Sequence, residues 1–489
     1  MTAREATLQA LIEYRRNNLR PDLALSRHTA GMPERETGLA MRLFNGVLQN
    51  AALCDWYAAL FSTIELKKLE PRVLDILRLS IYQIVFLTKI PHSAAVNEGV
   101  LLAKKKANPR AAGYVNAVLR KVADAAASGK LPEVAGENGF QRLSIKYSHP
   151  ERLVRDFCKT LGMEGCEAFL AANNNADIPV TVQVNTILTS AKEALSMLKA
   201  DGVEAVRHER LDNCIELYGA GSIGRLPAYK KGYIYVQDAA ARLSVMAAGP
   251  RPGDFVIDGC AAPGGKSFAA AIQMENNGRI EAFDVSPEKL RFITDGAARL
   301  GIGIIKVHAK EVGGSYGVSR GSSGEGNTHT GASRDSSGEG DDDFSGRADV
   351  VIADVPCSGF GAIRKKPEIR YKRESDIAGL PEVQKRILSG LSSYVKPGGT
   401  LLYSTCTVLR SENEDIVEWF LRENSEFSAE SFSIPIFGTA PGGMVTLLPH
   451  IHGTDGFFIC RMRRAGARKG SEINSQGQRE KSSGDGACT

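Results

Sequence analysis

The chain has 489 residues, is 43% hydrophobic and carries a net charge of +5, which allows about two to four domains and permits, without requiring, a polyanionic partner. No apolar run reaches the roughly 18 residues that a membrane span needs, and the charged start from Met1 to Arg20 has no apolar signal-peptide core. Nine scattered cysteines form no disulfide framework and neither a Cys-x-x-Cys pair nor a histidine cluster has zinc spacing, so a reduced, cytoplasmic, metal-free protein is expected.

Residues 1–127 read as helical, with apolar residues at three- and four-residue spacing in Leu8, Leu11, Ile12 and in Val73, Leu74, Leu77, Ile81, Ile84, Val85. A polar stretch with Gly and Pro, 128–139, reads as a linker. Over 140–250 the pattern predicts a small α+β module. Its pieces are a helix from Pro150 to Leu161, an alternating strand from Val180 to Asn185, a helix from Ala191 to Lys199, and strands at Glu204 to Arg207, Cys214 to Leu217 and Tyr233 to Val236.

From 251 to 464, short apolar runs alternate with helix-like segments: Phe255 to Ile257, Arg279 to Phe283, Ile304 to Val307, Val350 to Ala353 and Thr400 to Tyr403. That is the pattern of a parallel sheet covered on both faces. Gly456 to Met462 reads as a late strand, antiparallel to the others. Two segments, 312–346 and 465–489, are rich in Gly, Ser and charge. They cannot bury enough apolar area to offset an ordering cost of about 1–2 kcal/mol per residue and are expected to be unstructured.

Asp258-Gly259-Cys260-Ala261-Ala262-Pro263-Gly264-Gly265-Lys266-Ser267 follows a strand and opens a helix. Small residues let a ligand approach the backbone, and a helix start offers free N–H groups. A P-loop match fails because Cys260 stands where its first Gly belongs, and a dinucleotide fingerprint is interrupted by Cys260, Ala261 and Ala262. A structural turn and an adenosyl-cofactor loop remain, the second favoured. Asp284 ends the next strand about 20 residues on, where doubly wound folds place a carboxylate for ribose hydroxyls.

Cys357, in Asp354-Val355-Pro356-Cys357-Ser358-Gly359, and Cys406, in Tyr403-Ser404-Thr405-Cys406-Thr407, each follow a strand-like run. A lone free cysteine is usually space-filling. Two at strand ends beside a cofactor loop suggest covalent chemistry on a ring carbon, and the residues alone do not say which thiol attacks.

These motifs, taken in order with Asp284-Val285-Ser286-Pro287, Glu412-Asn413-Glu414 and Asp455-Gly456-Phe457-Phe458, resemble those of the Sun/RsmB-type RNA cytosine-5 methyltransferases. The N-terminal part resembles the antitermination factor NusB in Leu77 to Gln83, Ile90-Pro91, Val96 to Val100 and Tyr114 to Leu119. The resemblance implies an all-α NusB-like domain, a small α+β RNA-recognition-like module and a C-terminal α/β Rossmann-like methyltransferase domain. It implies S-adenosylmethionine as cofactor, held by Cys260, Ala261, Ala262, Pro263, Gly264, Gly265, Lys266, Asp284 and Asp354, and small-subunit ribosomal RNA as substrate. Cys406 is implied as the nucleophile and Cys357 as the group that assists product release. One position departs: Lys310 stands where the family has an Asp at the adenine end of the cofactor.

The chemistry fits these residue types. C5 of cytosine is a poor nucleophile until a thiolate adds to C6, which splits one hard step into easier ones. Asp354 is expected to face N3 and the exocyclic amine of the base. Lys266 is expected to support the cofactor loop. Arg364, Lys365 and Lys366 are candidates for RNA phosphate contacts, and Lys104 to Lys106 form a weaker one. Two rivals are the same chemistry on transfer RNA, and an RNA-binding or assembly protein that has lost catalysis.

Overall fold

The computed structural model describes residues 1–17, 19–175, 177–311 and 344–466. Of the two segments expected to be unstructured, 312–343 and 467–489 lie outside the described residues. The end of the first is core instead: Phe344 is 2% exposed and packs edge-on or tilted against Phe255, Phe283 and Tyr394. One aromatic after the acidic run is enough to anchor the chain there.

Six helices form the N-terminal part: α1 (Ala3–Asn17), α2 (Pro21–Thr29), α3 (Glu34–Phe61), α4 (Pro71–Phe86), α5 (His92–Lys106) and α6 (Pro109–Ala127). Pro71 and Pro109 sit in first turns, where a missing N–H costs nothing. The apolar faces converge on a core that includes Leu8, Phe44, Leu77, Ile81 and Leu119. Helix α3 breaks at Asn50 (φ −125°, ψ 20°). The expected linker is not free, since Leu131 and Val134 pack on this core.

Helices α7 (Gly139–Tyr147) and α8 (Glu151–Asn173) follow. α8 outruns the expected end at Leu161 because Gly162 takes φ 71°, a bend that glycine adopts without strain, after which the helix resumes. Leu143, Phe157 and Phe169 of these helices share a core with Phe360, Ile363 and Val408 from the C-terminal part.

The small sheet comprises β1 (Val180–Val184), β2 (Glu204–Arg207), β3 (Cys214–Tyr218) and β4 (Ile234–Val236), antiparallel in the order β2-β3-β1-β4. Helix α9 (Ala191–Ala200) starts at a capping box of Ser190 and Glu193. It covers the sheet through Ala194 and Leu198. The single turn α10 (Pro227–Lys230) and helix α11 (Ala239–Ala248) lead into the large sheet.

That sheet alternates β5 (Phe255–Asp258), α12 (Gly265–Gln273), β6 (Arg279–Phe283), α13 (Pro287–Leu300), β7 (Ile305–His308), β8 (Ala348–Asp354), α14 (Leu380–Ser392), β9 (Val395–Thr405) and α15 (Glu414–Glu423). Short strands β10 (Phe427–Ala429), β11 (Phe432–Ile434), β12 (Gly438–Ala440) and β13 (Met444–Leu447) precede β14 (Phe457–Arg464). The order is β10-β14-β9-β8-β5-β6-β7, with β13 on β14. Strands β5 to β9 are parallel and β14 runs antiparallel to β9. α12 and α13 cover one face, α14 and α15 the other, so the strands read as near-continuous apolar runs. The chain steps outward from β5 to β7 and returns on the other side of β5 as β8. The carboxyl ends of β5 and β8 therefore flank a topological switch point, where open α/β sheets bind ligands.

Candidate active site

The loop after β5 is built for close approach. Ala261 N–H donates to Phe283 O at 2.9 Å and Gly264 N–H to Ala261 O at 2.7 Å, which ties the loop to the carboxyl end of β6 and turns it back on itself. Gly264 has φ 106°, and a Cβ there would lie 2.6 Å from the Phe268 ring. No side chain caps α12, so its first N–H groups stay available. A Cβ on Gly265 would come within 3.3 Å of Gln237 Nε2, a buried amide nitrogen with no hydrogen-bond partner among the described residues. Burial pushes Asp258 up to about 6 while Ser267 Oγ donates to it at 2.7 Å. Burial also pushes the Cys260 thiol up, so Cys260 lends backbone to the loop. Asp284, at the end of β6, accepts from Ser286 N–H at 2.9 Å and retains lone pairs for a ligand. An adenosyl cofactor fits this set: a side-chain-free cradle, an open helix start, an unpartnered amide and a strand-end carboxylate.

Cys357 and Cys406 come together beside this loop. β8 and β9 are neighbours, with Asp354 opposite Ser404, and the two Sγ atoms lie 3.3 Å apart. Cys406 is held below the ordinary thiol range, first by a hydrogen bond from Cys357 and then by Lys266 and Lys366, against burial and Asp354. Cys357 is pushed far above that range, first by the same hydrogen bond and then by burial. The pair is thus polarised, with Cys406 the readier thiolate.

Lys266 reaches from the cofactor loop across to the Pro-Cys strand. Its Nζ reaches Asp354 Oδ2 at 2.6 Å and lies 5.2 Å from the Phe457 ring centroid. Burial works against its charge, yet Asp354 holds Lys266 above its usual value. Ser404 Oγ donates to Asp354 Oδ1 at 2.8 Å, so the carboxylate is fixed from two sides.

The motif loops are braced by groups to which the sequence attached no role. Glu412 Oε2 accepts from Ser358 N–H at 2.8 Å and from Gln384 Nε2 at 2.9 Å. Asn413 accepts from Thr405 Oγ1 at 2.6 Å and donates to Thr407 O at 3.1 Å. Gly361 N–H donates to Cys406 O at 2.9 Å, and a Cβ on Gly361 would lie 1.8 Å from Gly456 O. Gly361 and Gly456 thus allow the two loops to touch backbone to backbone.

Two of the candidate phosphate contacts are ion-paired within the fold. Arg364 Nε donates to Asp455 Oδ1 at 2.5 Å and its Nη2 lies 3.4 Å from Asp238 Oδ2. Lys365 pairs with the same two carboxylates. The side chain of Arg364 is thereby buried in an ion-pair cluster, Lys365 is paired at its exposed rim, and the neighbouring Lys366 is exposed. Of the weaker candidates, Lys105 pairs with Glu5 at 3.2 Å. Lys310 Nζ stands 5.8 Å from the Phe283 ring centroid, on the rim near Asp284.

A glycine cradle after the first parallel strand, a carboxylate after the second, and paired thiols across the switch point define an α/β methyltransferase domain. Family models match along the chain: the NusB family over residues 1–124, the ferredoxin-like domain of RsmF/B-like methyltransferases over 149–224, and 16S rRNA methyltransferase RsmB/F over 245–463. A probable ribosomal RNA small subunit methyltransferase B of Bacillus subtilis is 33% identical, covering 95% of this chain and 99% of its own length. A ribosomal RNA small subunit methyltransferase B of an Enterobacter species is 29% identical over 88% of this chain and 91% of its own. The crystal structure of PH0851 superposes with a TM-score of 0.70 at 26% identity, covering 94% of this chain and 98% of that one. The chain belongs to the Sun/RsmB family of ribosomal RNA small subunit methyltransferases B, with a NusB-like N-terminal domain. Among the described residues, no helix is long and apolar enough to cross a membrane.

Proposed function

We propose that the protein methylates C5 of a cytosine in 16S ribosomal RNA, in the reducing cytoplasm, with S-adenosylmethionine as the methyl donor. The observation that carries this reading is the thiol pair, 3.3 Å apart, beside the glycine cradle. Cys406 adds to C6 of the base, which makes C5 enamine-like. Gly264, Gly265 and Asp284 would hold S-adenosylmethionine, which would supply an electrophilic methyl group at C5. Asp354, oriented by Ser404 and Lys266, faces N3 and the exocyclic amine. Once Cys406 is bonded to carbon, the hydrogen bond that keeps Cys357 protonated ends. Cys357 then gives its own proton to solvent, its thiolate takes the C5 proton, and the C6–S bond breaks to return Cys406 as a thiolate.

Lys366 is an outward-facing cation after the Pro-Cys motif, and it contacts an RNA phosphate. Extruding the base from its stack costs a few kcal/mol, offset by backbone contacts of the NusB-like and ferredoxin-like parts. Family membership supports ribosomal over transfer RNA. Mapping methylated cytosines in total RNA with and without the protein tests this. One 16S cytosine should lose its methyl group, and an unchanged 16S pattern would reject the proposal.

The cradle makes a separate prediction. Asp284→Ala should weaken S-adenosylmethionine binding by roughly 10- to 150-fold, the scale of a lost hydrogen bond to a charged group, with RNA binding unchanged. Calorimetry giving wild-type cofactor affinity would overturn the ribose assignment.

A further inference from the structure

The loop that carries Cys357 does not return directly to the sheet. After Ser358 it sends Phe360 and Ile363 into the α7–α8 core. It then reaches the N-terminal bundle at Pro367–Tyr371, a short 3-10 turn, and comes back at Lys372, whose Nζ donates to Ser358 O at 2.7 Å. The far point of this circuit is Arg370, 1% exposed. Its Nη1 donates to Gln49 O at 2.8 Å, and to Tyr147 O and Ser148 O at 3.2 Å each. Its Nε donates to Pro367 O at 3.1 Å. Tyr371 OH donates to Leu48 O at 2.7 Å.

Gln49 and Leu48 directly precede the break of α3 at Asn50. An unbroken helix would spend such carbonyls on its own ladder; the break turns them toward the loop. Arg370 makes no ion pair with a described residue, so its burial is not explained by charge pairing. Taking a guanidinium out of water is costly. The fork geometry of arginine lets one side chain bind three separate backbone segments at once.

We propose that Arg370 is a positioning residue for methyl transfer. By fastening 358–372 to the broken helix, it holds Lys366 and the Ser358 end of the Cys357 loop in place, and the NusB-like part becomes a portion of the catalytic framework as well as an RNA-binding module. This rests on the reading of Cys406 and Cys357 as the reacting pair.

The test uses the full chain with Arg370→Met, Arg370→Lys and Tyr371→Phe, at a temperature where circular dichroism shows each folded. Arg370→Met should lower kcat on 16S RNA by roughly 10- to 100-fold, the effect of an ångström-scale misplacement, with a much smaller rise in KM for RNA from the displaced Lys366. Tyr371→Phe should act in the same direction more weakly, and Arg370→Lys should restore part of the loss. Iodoacetamide labelling of Cys406, followed by peptide mass spectrometry without RNA or cofactor, should show its pH midpoint rising toward that of an ordinary thiol in Arg370→Met. Labelling needs no turnover, so it judges the positioning claim even if Cys406 proves not to be the nucleophile. A lowered melting temperature with wild-type kcat and wild-type labelling would overturn the proposal, as would a loss confined to KM. Should Arg370→Met not fold, the same two readouts on Tyr371→Phe decide.

Discussion

Cys406→Ala should bind 16S RNA as the parent does and transfer no measurable methyl group. The expected loss is roughly 10³-fold or more, the scale on which removing a covalent nucleophile acts. Two features make the effect large. Cys406 is the thiol held below the ordinary range, by the Cys357 hydrogen bond and by Lys266 and Lys366, and Cys357 is pushed the other way, so its neighbour is a poor substitute. The RNA affinity should survive because the side chain is small and the loop is braced independently through Asn413 and Thr405. Single-turnover transfer of labelled methyl, beside a filter-binding isotherm, measures both. Wild-type turnover would remove Cys406 from the reaction.

Cys357→Ala should instead stall the reaction after bond formation. With no group to take the C5 proton, elimination of Cys406 should slow by about 10²–10⁴-fold, the usual worth of positioned acid–base help. A protein–RNA adduct should then accumulate and survive a denaturing gel. The same substitution removes the hydrogen bond that favours the Cys406 thiolate, so adduct formation should also slow, though by less. The adduct should vanish in the double variant with Cys406→Ala. Rapid turnover without any retained adduct would assign release to another group, and a chain that only binds RNA would give neither product nor adduct.

Much of this arrangement was legible in the sequence, because parallel strands buried on both faces leave apolar runs and their carboxyl ends share one rim. The runs at Arg279 to Phe283 and Glu204 to Arg207 coincide with strands, and the late strand is antiparallel as expected. β9 begins at Val395 rather than at Thr400, since Val395 pairs with Ala348 ahead of an irregularity that takes in Gly398 at φ 76°, with no apolar pattern to announce it. β10 to β13 were not foreseen, being only three or four residues long, too short for periodicity to register.

The side-chain partners were harder, because they depend on which strands are neighbours. Lys266 sits in the cofactor loop by sequence, yet the adjacency of β5 and β8 carries its ammonium across to Asp354. Arg364 and Lys365 sit in a basic run that suggested RNA contact. Their actual partners, Asp238 and Asp455, come from far along the chain before and after them. No local signal marks a cation as already neutralised from a distance.

That four-membered cluster has a practical corollary. Its two cations and two anions cancel, and Arg364, Asp238 and Asp455 are about one-tenth exposed. Dissolved counterions therefore reach these groups poorly, while exposed charges more than about a Debye length apart are screened. A plot of binding constant against potassium concentration should thus count only the outward-facing cations, Lys366 among them, and its slope becomes a gauge of how many backbone phosphates the protein covers.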